Sequence, residues 1–600
     1  MKLATVFNVR GSQVHVRPPL SSSRVRVSSF PRTLTFSSTT KHANPLSVSR
    51  ALSFDIQEGT RRPFLELPPS SWGNHFLSAS VNESEVEALA KQIDQLKAKV
   101  GGMLMSPTGE TKEKICLIYQ LISLGLSYHF ENEIEEILKD AFGEIEEMTA
   151  DEDDLYTISV MFWVFRTYRH HMSSDVFERF KGDDGKFKKC LVNDAKGMLS
   201  LYEAAHLGTT TEDILDEAVD FTLDHLEGLA KGASPHLSRL IQNALFLPHH
   251  QNIPILFSRE FISFYAKEKD HNETLLKFAK VNFNYLQLLY KQELKTLAKW
   301  WKDLDLRSKL PHYFRDRIVE CYIFGIGVFF EAQCSQGRAA VAKFIKLFTI
   351  LDDTYDRYAS LDEAISLGDC VERWDPEAMD NLPPYLKIVF RLTLDIFGEY
   401  EREARLEGRS YSIHEMIEEF KRFIRANVAF RKWEDSGELP SFDEYMEVGD
   451  VEVGIYITTA SSFIGMGNMA EKEAYEWLKS RPKLIDAAST KTRLMNDMTG
   501  FKDDMGRGYE ATGINLYMKQ HGATEEEAFR EFRKRIRVSD KIMVEEFLKT
   551  KDVLPRQIVM RLINADRMSA VTYRMGEGYT HPEDNFKHYI TSLLDDPIPL

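Results

Sequence analysis

Apolar residues recur at three- and four-residue intervals along almost the whole chain beyond residue 60, and no stretch alternates apolar and polar positions as a half-buried strand would. Residues 85–100, 115–142, 275–301 and 525–548 each carry such a stripe, which predicts long amphipathic helices and an all-α fold. No segment repeats at a fixed period, so the helices are not a solenoid array. Roughly 550 residues of helical pattern exceed the usual size of one core and predict two α-helical domains.

Two helical stripes end in chemistry. Val341, Phe344, Ile345 and Phe348 run into Asp352-Asp353-Thr354-Tyr355-Asp356. At about 100° per residue Asp352 falls about 20° and Asp356 about 60° from Val341, while Asp353 falls about 120° away. Asp352 and Asp356 are therefore expected to point inward and Asp353 sideways. The same count from Ile485 through Ala488, Ser489 and Thr492 puts Asn496 about 20° and Gly500 about 60° off a face of small residues, with Asp504 one turn further. A lone acidic run in a chain that is 28% charged is commonly a solvated helix face. Two inward sets suit hard divalent cations, which take clustered carboxylate oxygens together with phosphate oxygens. Both clusters follow residues 291–305, which puts the domain division there: a helical domain at 60–295 and a metal-binding catalytic domain at 296–600.

At these residues the chain resembles the plant class I terpene synthases. The resemblance rests on Arg62-Pro63 with Trp72 nine positions on, Trp300-Trp301-Lys302-Asp303-Leu304-Asp305, Arg315-Asp316-Arg317-Ile318-Val319-Glu320-Cys321, the Asp352–Asp356 run, Arg493-Leu494-Met495-Asn496-Asp497, Arg507-Gly508 and Gly578-Tyr579-Thr580-His581-Pro582. The Arg-Pro pair and the overall texture of the chain look most like the angiosperm subfamily dominated by sesquiterpene synthases, a resemblance that implies two α-helical domains with catalysis in the second. It implies the class I terpenoid synthase fold in the second domain, with the segment at 62–72 packing over its mouth. It also implies Mg²⁺, as three ions with Mn²⁺ an alternative, held by Asp352, Asp356, Asn496 and Asp504, and a prenyl diphosphate substrate contacted by Arg315, Arg317, Arg493 and Arg507. Phe324, where many relatives have Trp, and Tyr579 would face the carbocation. Gly500 departs from the family's Ser or Thr and Asp504 from its Glu, so one metal ligand there is expected to be replaced by water.

Composition adds a location. Residues 1–50 contain no Asp or Glu, are rich in Ser and Thr, and carry Lys2, Arg10, Arg17, Arg24, Arg26, Arg32, Lys41 and Arg50, the make-up of a transit peptide. The expected compartment is the plastid, with the mitochondrion as alternative. Setting those eight basic residues aside takes the net charge from −16 to −24, which argues against a nucleic-acid partner. Five cysteines show neither metal-ligand spacing nor a disulfide set. The longest apolar run, residues 321–330, is too short for a bilayer, which needs about 20 residues. A monomer is expected.

Asp151-Glu152-Asp153-Asp154 matches the DxDD pattern of class II cyclases, but a protonating acid must be kept neutral by burial, and this run reads as a helix N-terminus. A prenyltransferase would typically repeat DDxxD in its second cluster, and a non-catalytic helical scaffold would need no inward carboxylates. The reading is a terpene cyclase making a cyclic hydrocarbon from geranylgeranyl or geranylfarnesyl diphosphate, because the leader points to a compartment of longer precursors and Phe324 leaves more room than Trp. A sesquiterpene synthase using farnesyl diphosphate is the second reading.

Overall fold

Helix starts follow caps written in the sequence. Asn82 accepts from Ser84 N and opens Glu83–Leu104, Asn272 accepts from Thr274 N and opens Glu273–Leu304, and Thr524 with Glu527 forms a capping box at the head of Glu525–Lys549. This computed structural model describes Phe64, residues 66–583 and residues 585–600; the basic leader at 1–50 and the Arg62-Pro63 pair lie outside the described residues. Among the described residues there is no strand, only an isolated antiparallel bridge between Lys181 and Phe187.

One expected helix is broken. The stripe at 115–142 divides into Thr111–Ser123, a 3₁₀ turn at Ser127–His129, and Glu131–Gly143. Gly125 causes the break: its φ is 71°, and a Cβ there would sit 2.9 Å from Ser258 Oγ. The apolar spacing runs on because both pieces face the same core. Asp154 caps Leu155–Thr167 by accepting from Thr157 N, and Lys112 donates to Glu152 at 2.6 Å. That hydrogen bond holds the Glu152 carboxyl below its ordinary range, the reverse of what class II protonation requires.

The division expected at 295–296 falls inside Glu273–Leu304, which runs on unbroken to Asp305, a left-handed residue at φ 47°. One hydrophobic core joins the first half to Ile318–Val328 and to Leu593 and Leu594 near the C-terminus, and a second fills the later half around Phe344, Phe390 and Phe463. Between the cores, Arg338, fully buried, pairs with Glu293 at 2.8 Å and lies over the Tyr290 ring. That pair fixes Ser335–Asp353, the helix bearing the first acidic cluster, against the long Glu273–Leu304 helix. None of the described helices is long and apolar enough to cross a membrane.

Candidate active site

A cavity of about 930 Å³ opens in the later half, and nine of the ten candidate residues line it: Asp352, Asp356, Asn496, Asp504, Arg315, Arg493, Arg507, Phe324 and Tyr579. Phe64 and Leu67, just after the Arg62-Pro63 pair, also line it. Leu67 N donates to His312 O at 2.8 Å and Trp72 Nε1 to Glu320 Oε1 at 3.2 Å, so this segment is pinned to the loop that carries Arg315 and to the helix that follows it. Arg317 is outside the lining. Its Nε donates to Tyr579 O at 3.2 Å and its Nη2 to Thr580 O at 3.1 Å, so it anchors the C-terminal loop from behind instead of facing the cavity as expected.

The first cluster departs from ideal helix arithmetic. Ser335–Asp353 ends in a π-turn over Thr354–Tyr358, closed by Ala359 N donating to Thr354 O. Asp352 (side chain 27% exposed) and Asp356 open to the cavity, as the wheel placed them on one face. Asp353, expected to point sideways, is the buried one at 0%. It accepts from Arg315 N at 2.7 Å and pairs with Arg315 Nε and Arg357 Nε at 3.0 Å each, because the loop at 311–317 packs over that flank of the helix. Arg315 reaches onward to Asp352 and to Thr580 Oγ1, and lies 5.5 Å from the Tyr579 ring centre. Desolvation in the cleft raises the Asp352 and Asp356 carboxyls above their ordinary range, helped by the charge of Asp353 at Asp352 and by that of Asp352 at Asp356.

The second cluster sits on Lys483–Gly506. Arg493 is its hub: Nη1 donates to Glu452 Oε2 at 2.6 Å, Nε to Asp497 Oδ1 at 3.1 Å, and Nη2 to Asn496 Oδ1. Asn496 Nδ2 donates to Tyr573 OH at 3.0 Å. Asp504 pairs with Arg507, whose side chain is 53% exposed. Gly500 faces the cavity, and a Cβ on it would lie 3.1 Å from Asp504 Oδ2, so a side chain there would point at that carboxylate. Sequence reasoning missed Glu452, which burial pushes up to about 7. No motif marks it; the chain turns there through Gly454, at φ 80°. Asp497 could have been found from its i, i+4 spacing to Arg493.

The lining also carries an apolar set, Phe324, Ile345, Phe348, Phe423 and Phe430. Tyr579 stands edge-on to Phe324, ring centres 5.7 Å apart. Thr349 Oγ1 donates to Ile345 O at 2.8 Å, so its one proton is used; Tyr579 OH must then donate to Thr349 Oγ1, at 2.6 Å, and accept from the Cys321 thiol at 3.1 Å. The hydroxyl is fully engaged, and what Tyr579 offers the cavity is its ring.

Two family models match the chain: "Terpene synthase, N-terminal domain" over residues 71–245 and "Terpene synthase family, metal binding domain" over residues 302–542. The chain belongs to the terpene synthase family. Terpenoid synthase 1 of Arabidopsis thaliana is 52% identical over 550 residues, covering 91% of this chain and 90% of its own length. The dolabella-3,7-dien-18-ol synthase of the same plant is 49% identical over 548 residues, covering 90% of each chain. Isoprene synthase from grey poplar leaves, solved with three Mg²⁺ ions and dimethylallyl-S-thiolodiphosphate, matches with a TM-score of 0.78 at 29% identity, spanning 88% of this chain and 99% of that one.

For a terpene synthase with a metal-binding domain, the donor set in the cleft fits a hard divalent cation. Asp352, Asp356, Asn496 and Asp504 offer only oxygen ligands and open to one cavity from two helices. Among the described residues no group of three or more His, Cys, Asp or Glu side chains is placed to hold a metal ion by itself, so an ion here would need oxygens from elsewhere. Such an open set suits ions that share their coordination with a phosphate. Arg315 on Asp352, Arg493 on Asn496 and Arg507 on Asp504 balance these polar groups in the protein as it stands.

Proposed function

We propose that this chain is a class I terpene cyclase that ionises a prenyl diphosphate and closes the resulting carbocation to a cyclic terpene, with catalysis in the half after about residue 296. The observation that carries this reading is that two oxygen-bearing sets from different parts of the chain, Asp352/Asp356 and Asn496/Asp504, line one cavity together with a group of aromatic side chains. Mg²⁺ held by those four residues would neutralise the charge that grows on the diphosphate as its bond to carbon breaks. Arg315 and Arg493, fixed by Asp353 and by Glu452 with Asp497, present guanidinium forks to the departing phosphate oxygens. The carbon–oxygen electron pair leaves with diphosphate, the allylic cation adds to a double bond of its own chain, and loss of a proton yields the hydrocarbon. Phe324 and Tyr579 turn ring surface toward that cation, while Phe348, Phe423 and Phe430 keep water from it.

Geranylgeranyl or geranylfarnesyl diphosphate is the favoured substrate, supported by Phe324 in place of Trp and by the basic, acid-free composition of residues 1–50, which also supports a plastid location. Incubation of the purified protein with farnesyl, geranylgeranyl and geranylfarnesyl diphosphates, with Mg²⁺ or with chelator, is read by gas chromatography. The expected result is a cyclic product from one of the two longer substrates in the metal-containing reaction alone. A product independent of divalent metal, or none from any of the three, would overturn the reading.

A further inference from the structure

A second cavity, of about 90 Å³, lies between the first half of the chain and the Arg556–Tyr573 helix and shares no lining residue with the active-site cavity. It exceeds the ~30 Å³ share of one water. Three guanidinium groups line it, Arg556, Arg561 and Arg567, against two carboxylates, Glu131 and Glu331. Both carboxylates are engaged: Glu131 Oε2 lies 3.1 Å from Arg556 Nη1 and Glu331 Oε1 3.0 Å from Arg561 Nη2. Arg567, 9% exposed, donates to two neutral acceptors, His250 O at 2.8 Å and Asn564 Oδ1 at 2.9 Å, and has no carboxylate in ion-pair reach among the described residues. Its charge is therefore buried without a counter-charge in contact, and burial draws its pKa down to about 10.

Two further donors in the same wall have no hydrogen-bond partner among the described residues: Trp163 Nε1, on a residue 2% exposed, and Arg561 Nε, on one 3% exposed. His249, stacked on Trp163 with ring centres 4.6 Å apart, is held neutral by burial and adds no charge. The wall thus has surplus N–H donors and one surplus positive charge, which is the chemistry that recognises an anion. We propose that this cavity binds a small monovalent inorganic anion, held by Arg567, Trp163 Nε1 and Arg561 Nε. Asn252 Oδ1, an acceptor in the same wall without a partner, takes its hydrogen bond from a water accompanying the ion. The ion joins the first half of the chain to the helix whose far end carries Tyr573, the acceptor for Asn496 in the active site.

A halide and dihydrogen phosphate present the same chemistry, and two arms of one experiment separate them. Thermal unfolding of the full chain is followed at fixed ionic strength while sodium gluconate, too large for the cavity, is exchanged for sodium bromide or for sodium phosphate. Ligand that binds only the native state raises Tm with the logarithm of its concentration, so the arm that responds names the ion. Trp163→Phe keeps the stacking and removes one donor, and should raise the half-effect concentration roughly tenfold; Arg567→Met should abolish the response. Should Arg567→Met fail to fold, Trp163→Phe decides. A Tm indifferent to anion identity in both arms, or a half-effect concentration unchanged in Trp163→Phe, would overturn the site.

Discussion

Neighbouring aspartates in this protein do different work. Asp352 opens to the cavity, whereas Asp353 is sealed between Arg315 and Arg357. Asp352→Ala should abolish turnover and leave Tm close to wild type, since Arg315 keeps its second carboxylate. Asp353→Asn should instead cost about 3 kcal/mol of stability, because it takes the carboxylate from Arg357 as well as from Arg315, and only Arg315 has Asp352 left. Paired melting curves and activity assays check this, and equal Tm for the two variants would contradict it. Gly500→Thr adds an oxygen facing Asp504, and relieves the helix of a residue that costs about 1 kcal/mol relative to Ala. The Mg²⁺ concentration for half-maximal activity should fall several-fold; an unchanged value would mean the threonine oxygen does not reach the metal. Phe324→Trp overpacks the cavity beside Tyr579, and by about 1–3 kcal/mol of strain should cut kcat/KM for the longest accepted substrate roughly tenfold more than for farnesyl diphosphate. A ratio of efficiencies that the Trp leaves alone would remove Phe324 from chain-length control.

Helices were legible where their caps and stripes agreed, as at Glu83–Leu104 and Glu525–Lys549, and illegible where a single glycine cut a continuous stripe at Gly125. Wheel arithmetic put Asp352 and Asp356 on one side correctly but misjudged Asp353, because burial of that flank depends on a loop from residues 311–317 that periodicity cannot see. Arg317 fails for a related reason: its motif neighbour Arg315 turns toward the cavity, while its own guanidinium is drawn back by two carbonyls of the C-terminal loop. The packing of helices also sets a pH dependence. Glu203, on Ala195–Ala205, is buried at 8% exposure and among the described residues accepts from His249 N at 2.8 Å, so burial lifts its carboxyl from 4.5 to about 8. Because the folded state keeps a proton that the unfolded chain has lost between those values, Glu203 lowers stability as pH rises from about 5 to 8. Glu203→Gln should therefore raise Tm at pH 8 and leave it nearly unchanged at pH 5; the opposite order would show that the carboxylate is ionised in the fold.

Two hydrophobic cores are joined by Arg338 with Glu293, and the large cavity in the later half is lined by charged and aromatic side chains together. The two acidic clusters were legible as a pair because each sits at the end of a helix whose register the sequence shows. Glu452 and Tyr573 were not, since they reach the same cavity from other helices through contacts that only the fold creates. On the proposed function, Asp352, Asp356, Asn496 and Asp504 hold divalent metal together with a diphosphate. Calorimetric titration with inorganic diphosphate tests it without turnover. Wild type should bind diphosphate with Mg²⁺ present and lose that binding with chelator, and Asp352→Ala and Asn496→Ala should each remove it while keeping the fold. Diphosphate binding that survives both the chelator and the two substitutions would show that these residues do not hold a metal–diphosphate complex.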